Sequence, residues 1–146
     1  MNLSERKKDL IFFVIAAILG LASFIIPVTL NSKIKYYDSP LFPLIRTGIE
    51  GFSFFAMSCL VINGIILGFL NSRCPWRWGL ATMAFFPILA IIEMIADPYS
   101  HNLWPIEFVV YGILSIPAVL GAIIGAFIKK NGVKNGIRII FKFLFE

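Results

Sequence analysis

Residues 10–29 read LIFFVIAAILGLASFIIPVT, a run of 20 residues without a charged side chain. The hydrocarbon core of a bilayer is about 30 Å thick, and a helix needs roughly 20 mainly apolar residues to cross it. Backbone N–H and C=O groups find no water there, so a crossing segment of this kind is helical. Arg6, Lys7 and Lys8 precede the run as in a signal peptide, but the run is longer than a signal peptide's apolar region and no small-residue cleavage site follows. The stretch therefore predicts a retained transmembrane helix.

Three further apolar runs of similar length follow along the chain, at residues 52–70, 79–96 and 108–128. The composition agrees with them, because 59% of the 146 residues are hydrophobic, 14% are charged and the mean hydropathy is +0.88. A soluble domain is about 45–50% apolar and about 25% charged, so this chain has too few polar side chains to cover itself in water. We therefore predict one all-α bundle of four transmembrane helices, residues 10–128, between a short arm, residues 1–9, and a tail, residues 129–146.

The distribution of Lys and Arg predicts the orientation of this bundle. Ten of the 13 lie in the arm, in the loop between the second and third runs, and in the tail. The other three are Lys33, Lys35 and Arg46, between the first and second runs. Positive charge is enriched in cytoplasmic loops, so both termini are predicted to be cytoplasmic, in a plasma (bacterial inner) membrane. The net charge of +5 follows from this distribution, and no nucleic-acid partner is predicted.

Small residues at helical spacing indicate where the helices pack. Gly64 and Gly68 lie four residues apart in the second run, and Gly121 and Gly125 do so in the fourth. Lipid provides no hydrophobic drive for helix association, so close backbone approach at such glycines stabilises contacts between helices. Two interpretations remain open: the two pairs pack against each other inside one chain, or they form the contact of a homo-oligomer.

The tail carries a basic stripe. Lys134, Arg138 and Lys142 recur every four residues, which places them on one face of a helix, with apolar residues such as Ile137 and Phe141 between them. This pattern predicts an amphipathic helix that lies in the inner membrane interface and binds anionic lipid headgroups. The alternative is a docking helix for a partner subunit.

Polar residues cluster at the predicted outer end of the third and fourth runs. The cluster comprises Glu50, Glu93, Asp97, His101, Asn102 and Glu107, and it contains the only histidine of the chain. Glu93 is the most unusual, because it lies inside the third run, where a charge costs a few kcal/mol unless it pairs, protonates or faces the bundle interior. If the helix continues, Asp97 stands one turn above Glu93 on the same face, and Arg46 is a candidate counter-charge.

The sequence leaves several interpretations of this cluster open. In the first, the six residues form a recognition site for a ligand or a partner protein. In the second, Glu93, Asp97, His101 and Glu107 bind a divalent metal, since carboxylates and imidazole are suitable ligands, or His101 acts with a carboxylate as acid and base. In the third, the cluster is local architecture: Asp97 followed by Pro98 caps a helix, and Glu107 is favoured by the dipole of the fourth helix.

The sequence favours a small accessory or interaction protein that associates with itself or with a larger membrane complex through the outer cluster. A membrane enzyme or metal-binding protein using the same residues is the second candidate, and a small oligomeric transporter is the third. The chain has no Walker loop, GxSxG element or haem or Fe–S ligand set, so an enzyme is not favoured, and no cofactor is predicted beyond that divalent metal. A transporter requires a polar path past Glu93, whereas an apolar plug below Glu93 excludes one.

Overall fold

The structure is a computed structural model that describes residues 3–31, 42–97 and 104–145, with side chains placed for residues 5–30, 42–97 and 105–132. All regular secondary structure within these ranges is α-helical. The helices are α1 (Leu3–Asn31), α2 (Pro43–Glu50), α3 (Phe54–Leu70), α4 (Pro75–Ala81), α5 (Phe85–Ala96), α6 (Trp104–Leu114) and α7 (Ile116–Phe145).

Among the described residues, three stretches are long and apolar enough to cross a membrane, judged by length and composition. They are Glu5–Leu30 in α1, Pro75–Ala96 across α4 and α5, and Pro105–Gly132 across α6 and α7. The number becomes four if α2 and α3, which meet at a bend of 98°, form one broken span. α3 alone has 17 residues and a length of about 25 Å, close to the minimum for crossing. The prediction of a helical membrane protein is confirmed at this level of three to four spans.

The outward faces of these helices are apolar. Phe54 is 79% exposed, Ile95 is 77% exposed and Leu10 is 64% exposed, and many other large aliphatic side chains also point away from the bundle. Exposing one such side chain to water, instead of burying it in an apolar medium, costs about 1.5–3 kcal/mol of free energy. A surface of this kind is stable against lipid tails, which is consistent with a membrane location.

The third predicted helix begins at Pro75 and contains a tight turn. Between α4 and α5 the backbone N–H groups of Met83 and Ala84 donate to carbonyls three residues earlier, at 3.0 and 3.1 Å. Pro87 has no N–H to donate to the Met83 carbonyl, and Phe86 N donates to that carbonyl instead, at 3.2 Å. The sequence predicted a span at residues 79–96, with Pro87 inside it as a position that removes a backbone hydrogen bond. Proline accounts for the break one turn before its own position.

The tail is helical and continuous with the last span. α7 runs from Ile116 to Phe145 without interruption, so the backbone of residues 129–145 extends the same helix. Its place in the membrane interface stays a prediction. No proline follows Pro117, so no residue in this segment lacks a backbone N–H for the helix. The side chains of Lys134, Arg138 and Lys142 lie outside the described set, so their lipid contacts stay a prediction. The arm is likewise helical from Leu3 as part of α1.

α3 packs most extensively against α7, and the two glycine pairs form the centre of this contact. A Cβ atom added to Gly64 or Gly68 would overlap the backbone carbonyl of Ala118 or Ala122. On the facing helix, a Cβ added to Gly121 or Gly125 would overlap the carbonyl of Val61 or Ile65. Residue numbers rise together along both helices, so α3 and α7 run parallel. The structure places both glycine pairs inside one chain, where they let two backbones touch.

A polar contact joins α1 to α3 in the middle of the apolar region. Asn63 Nδ2 donates to Ser23 Oγ at 2.9 Å and to the Leu19 carbonyl at 3.2 Å. Ser23 is 1% exposed, and its hydroxyl donates back to the Leu19 carbonyl at 2.9 Å. Because hydrocarbon offers no alternative partner, this contact fixes the register of α1 against α3.

We expect a double-mutant cycle of Asn63→Leu and Ser23→Ala to show a coupling energy of roughly 0.6–1.7 kcal/mol, the range for hydrogen bonds between membrane helices. Unfolding by sodium dodecyl sulfate titrated into mild detergent measures it. Ser58→Ala is the control, because the Ser58 hydroxyl bonds within α3 to the Phe54 carbonyl at 2.9 Å. The coupling energy between Ser58→Ala and Asn63→Leu should be zero. A coupling energy equal to that between Ser23→Ala and Asn63→Leu contradicts a specific hydrogen bond between Asn63 and Ser23.

The core at the centre of the bundle is apolar and aromatic. Phe24 and Phe86 are each 1% exposed, and their ring centroids lie 4.9 Å apart. Phe86 also lies 5.7 Å from the ring of Tyr111, and Leu60 and Met83 complete the same cluster. These side chains join α1, α3, α5 and α6, and they form the floor of the site described next.

Candidate functional site

A cavity of about 250 Å³ lies where α2, α5 and α6 meet. Its apolar lining is formed by Phe42, Ile45, Ile49, Phe86, Leu89, Ala90, Ile106 and Val110, and its polar lining is formed by Arg46, Glu50, Glu93, Glu107 and Tyr111. We call this end of the bundle the acidic end. The volume approaches that of small-molecule pockets, which combine apolar walls with a few polar groups in the same way.

The short helix α2 brings two of the charged groups to the cavity. Pro43 occupies its first turn, where the missing N–H costs nothing, and the Thr47 hydroxyl donates to the Pro43 carbonyl at 2.7 Å. Gly48 packs on α1, where its Cβ would lie 3.0 Å from the Phe24 carbonyl oxygen. Arg46 and Glu50 are one turn apart on α2, with Arg46 Nε 3.2 Å from Glu50 Oε1. The pair is about 40% exposed, so it orients the two side chains more than it stabilises the fold.

Glu93 comes from α5 and is 8% exposed. The backbone N–H of Phe42, the residue before α2, donates to Glu93 Oε1 at 3.4 Å. This bond offsets part of the cost of a carboxyl group near the apolar core, and it ties the start of α2 to α5. Glu93 therefore faces the bundle interior, which is one of the arrangements in which a charge can persist in a membrane span.

Glu107 and Tyr111 come from α6 and lie one turn apart on one face of it. The Tyr111 hydroxyl hydrogen-bonds to the Glu107 carboxylate, and Tyr111 is 8% exposed. The Tyr111 ring packs between Phe86 and Phe108, with centroid distances of 5.7 and 6.2 Å. Glu107 also lies in the first turn of α6, where the helix dipole favours a negative charge.

The structure brings together three of the six residues predicted as a recognition site: Glu50, Glu93 and Glu107 all line the cavity. Asp97 does not line it. α5 ends at Ala96, and Asp97 follows as the C-cap with extended backbone angles of φ −137° and ψ 96°. Asp97 N donates to the Glu93 carbonyl at 2.8 Å, so Asp97 closes the last turn of α5, but the helix does not continue through it as the sequence argument assumed. The interpretation of Asp97 and Pro98 as a helix start involves Pro98, which lies outside the described residues.

Two predicted residues, His101 and Asn102, lie outside the described residues. The metal interpretation used His101 with Glu93, Asp97 and Glu107, so the structure does not test it. Within the part of the chain that the structure describes, no group of three or more His, Cys, Asp or Glu side chains is arranged to hold a metal ion.

Sequence reasoning named Arg46 only as a counter-charge and did not single out Tyr111. A signal for Tyr111 was present: a hydroxyl group inside an apolar run, four residues after Glu107, predicts contact on the same helix face. The aliphatic walls from α2 carried no such signal. Their place in the cavity depends on the bend between α2 and α3, which sequence periodicity does not show.

The fold and this cavity define the chain as a helical membrane protein with a partly enclosed polar site at one end of its bundle. Comparison with models of known protein families, with curated protein sequences and with solved structures found no match.

Proposed function

We propose that this chain is a small membrane-embedded recognition protein, an accessory subunit whose cavity at the acidic end receives a positively charged group carried on an apolar stem. The cavity itself carries this proposal. Three carboxyl groups and one guanidinium group line an otherwise apolar chamber of about 250 Å³. Such a lining favours a ligand or partner segment with one cationic end and one apolar end.

The charge of the lining supports a cationic occupant. Arg46 contacts Glu50 at 3.2 Å, so one positive and one negative group already face each other. Glu93 and Glu107 add two further carboxyl groups to the lining. Fixed charges in a low-dielectric cavity act strongly on a charge that enters it, so an ammonium or guanidinium group gains more there than a neutral or anionic group.

The orientation of the cavity belongs to the same proposal. Arg6, Lys7, Lys8, Arg73, Arg77, Lys129 and Lys130 lie at the opposite end from the cavity, which we call the basic end. By the positive-inside tendency the basic end faces the cytoplasm of a plasma membrane, with both termini there, and the cavity faces outward. A partner would then approach the acidic end from outside the cell or from within the outer leaflet.

Self-association has less support than the sequence suggested. Gly64, Gly68, Gly121 and Gly125 pack between α3 and α7 of one chain, so they do not offer a face to a second copy. The accessory proposal therefore rests on the cavity. A transporter has less support as well, because Phe24, Phe86 and Leu60 form a tightly packed apolar layer directly below Glu93.

The test is native mass spectrometry of the protein extracted in mild detergent. We expect a defined non-covalent adduct, either a small molecule or a partner subunit, on the wild-type chain. Glu93→Gln should reduce its occupancy at least tenfold, because removing one partner from a buried charge contact costs about 2 kcal/mol or more. Glu107→Gln should reduce it less, because Glu107 is only half-buried. Val110→Trp, which fills the cavity without changing a charge, should reduce it as much as Glu93→Gln does.

Two matched substitutions outside the cavity serve as controls. Asp97→Asn neutralises a carboxyl group four residues from Glu93 that does not line the cavity. Val109→Trp adds the same bulk at the neighbouring position, which is 62% exposed and points away from the cavity. Both should keep the adduct. A wild-type chain that carries no adduct, or an adduct that persists in Val110→Trp, contradicts the proposal, and an adduct that is a stoichiometric metal supports the metal-binding alternative.

A further inference from the structure

The basic end brings together positive side chains from separate helices. The ring centroids of Phe12 and Trp78 lie 4.7 Å apart, which places the first turns of α1 beside α4. Lys129 Nζ donates to the Leu70 carbonyl at 3.0 Å, which places the middle of α7 beside the end of α3. Seven described Lys and Arg residues therefore share this end with two described acids, Glu5 and Asp9. The end is strongly positive.

A shallow, largely open groove of about 240 Å³ lies on the side of the bundle at this end, between α1 and the α4–α5 pair. Its lining consists of Phe13, Trp76, Arg77, Leu80, Ala81 and Ala84. The two alanines leave room where larger side chains would fill the space. Phe13, Trp76 and Leu80 form the walls, and each is more than 40% exposed.

Arg77 supplies the one charge in this lining. Its side chain is exposed, and it makes no ion pair with any side chain of the described residues. Arg73 lies close by, because Trp78 Nε1 donates to the Arg73 carbonyl at 3.2 Å. Trp76 adds an indole ring, a side chain that is enriched at the level of lipid headgroups. The groove thus has apolar walls along most of its length and a basic, aromatic end at Arg77 and Trp76.

We infer that this groove is a binding site for an anionic phospholipid of the surrounding bilayer. One acyl chain lies along Phe13, Leu80 and Ala84, and the phosphate and headgroup lie at Arg77, with Arg73 adjacent. A guanidinium group matches the geometry of a phosphate with two parallel hydrogen bonds. The surplus of positive charge at this end disfavours exchange for a zwitterionic lipid, whose headgroup brings its own ammonium group.

This site is separate from the cavity at the acidic end and from the predicted stripe of Lys134, Arg138 and Lys142. It concerns a single lipid in a defined groove, beyond the general attraction of a basic surface to an anionic membrane. Its selectivity would depend on Arg77 in particular, since that residue lines the groove, whereas Lys130 at the same end does not line it.

The experiment titrates dioleoyl-phosphatidylglycerol and dioleoyl-phosphatidylcholine separately onto the purified full chain in detergent and counts bound lipids by native mass spectrometry. The two lipids have the same acyl chains and differ in headgroup charge. We expect one phosphatidylglycerol molecule to bind at least fivefold more tightly than phosphatidylcholine. Arg77→Gln should reduce this preference about fivefold, since one basic side chain near the surface contributes an effect of about that size, and Arg77→Lys should retain most of it.

Lys130→Gln removes the same charge from the same end and is the matched control, so it should keep the preference. Inorganic phosphate added in excess separates a lipid site from a phosphate site, and it should not displace the bound lipid. Equal affinity for the two lipids, an unchanged preference in Arg77→Gln, or an equal loss in Lys130→Gln overturns the inference. Displacement by inorganic phosphate overturns its assignment to a lipid.

Discussion

Replacing Gly68 by valine is expected to destabilise the protein by roughly 3 kcal/mol or more. A Cβ atom at this position would overlap the Ala122 carbonyl oxygen and lie 2.6 Å from its carbon. Overpacking an interior typically costs about 1–3 kcal/mol, and the cost is largest when the obstacle is backbone, which cannot rotate away. α3 and α7 would have to separate along their whole contact. Unfolding in mixtures of sodium dodecyl sulfate and mild detergent measures the free-energy change.

Gly112 provides a matched control for this substitution. It also lies in a helix, but a Cβ added there meets no atom within 4 Å. Gly112→Val should therefore change the free energy of unfolding by no more than about 0.5 kcal/mol, as is usual for exposed positions. If both valine substitutions shift unfolding equally, the parallel backbone contact between α3 and α7 is not the source of stability described above.

The second large effect is expected at Gly20, where α1 crosses the turn between α4 and α5. Even alanine should cost roughly 2–3 kcal/mol there, the upper part of the range for overpacking. Its Cβ would overlap the Thr82 carbonyl oxygen and lie 2.7 Å from the Thr82 Cα. Thr82 is fully buried, and its hydroxyl donates to the Gly79 carbonyl at 2.7 Å, so neither its backbone nor its side chain has room to move.

The same unfolding measurement tests Gly20→Ala, with Gly132→Ala as its control. A Cβ at Gly132 has no neighbour within 4 Å, and alanine favours a helix over glycine, so that variant should be unchanged or slightly more stable. Equal stability of the wild type and Gly20→Ala would show that α1 is not in backbone contact with the turn, and the arrangement of α1 against α4 and α5 would need revision.

Much of the fold follows from hydropathy and small-residue spacing. The predicted run 52–70 and the observed helix Phe54–Leu70 nearly coincide. The helix begins at Phe54 because Ser53 caps it by accepting a hydrogen bond from Ala56 N at 3.2 Å. The two glycine pairs were recognised as packing positions from their spacing. Whether they face each other or a second copy did not follow from spacing, since both arrangements satisfy the same backbone requirement.

The candidate site was predictable only in part. Glu93 and Glu107 attract notice in a sequence because a carboxyl group in or beside an apolar span is costly. Their convergence with Tyr111 on one cavity depends on how α5 and α6 pack. The position of Asp97 has the same origin: sequence periodicity assumed that α5 continues, whereas the helix ends at Ala96 and Asp97 has extended backbone angles.

Sequence alone determined that this chain is helical and suited to a membrane, because the free energy of placing about 20 apolar residues in lipid depends on composition and length, which are local properties. It also determined the uneven distribution of charge between the two ends. Only the tertiary structure decided which glycines meet backbone, where α2 folds across the bundle to make a cavity, and that Arg77 borders a groove. These features depend on which helices pack together and how closely. Such contacts join segments that are far apart in the chain, so the sequence of one segment does not determine them.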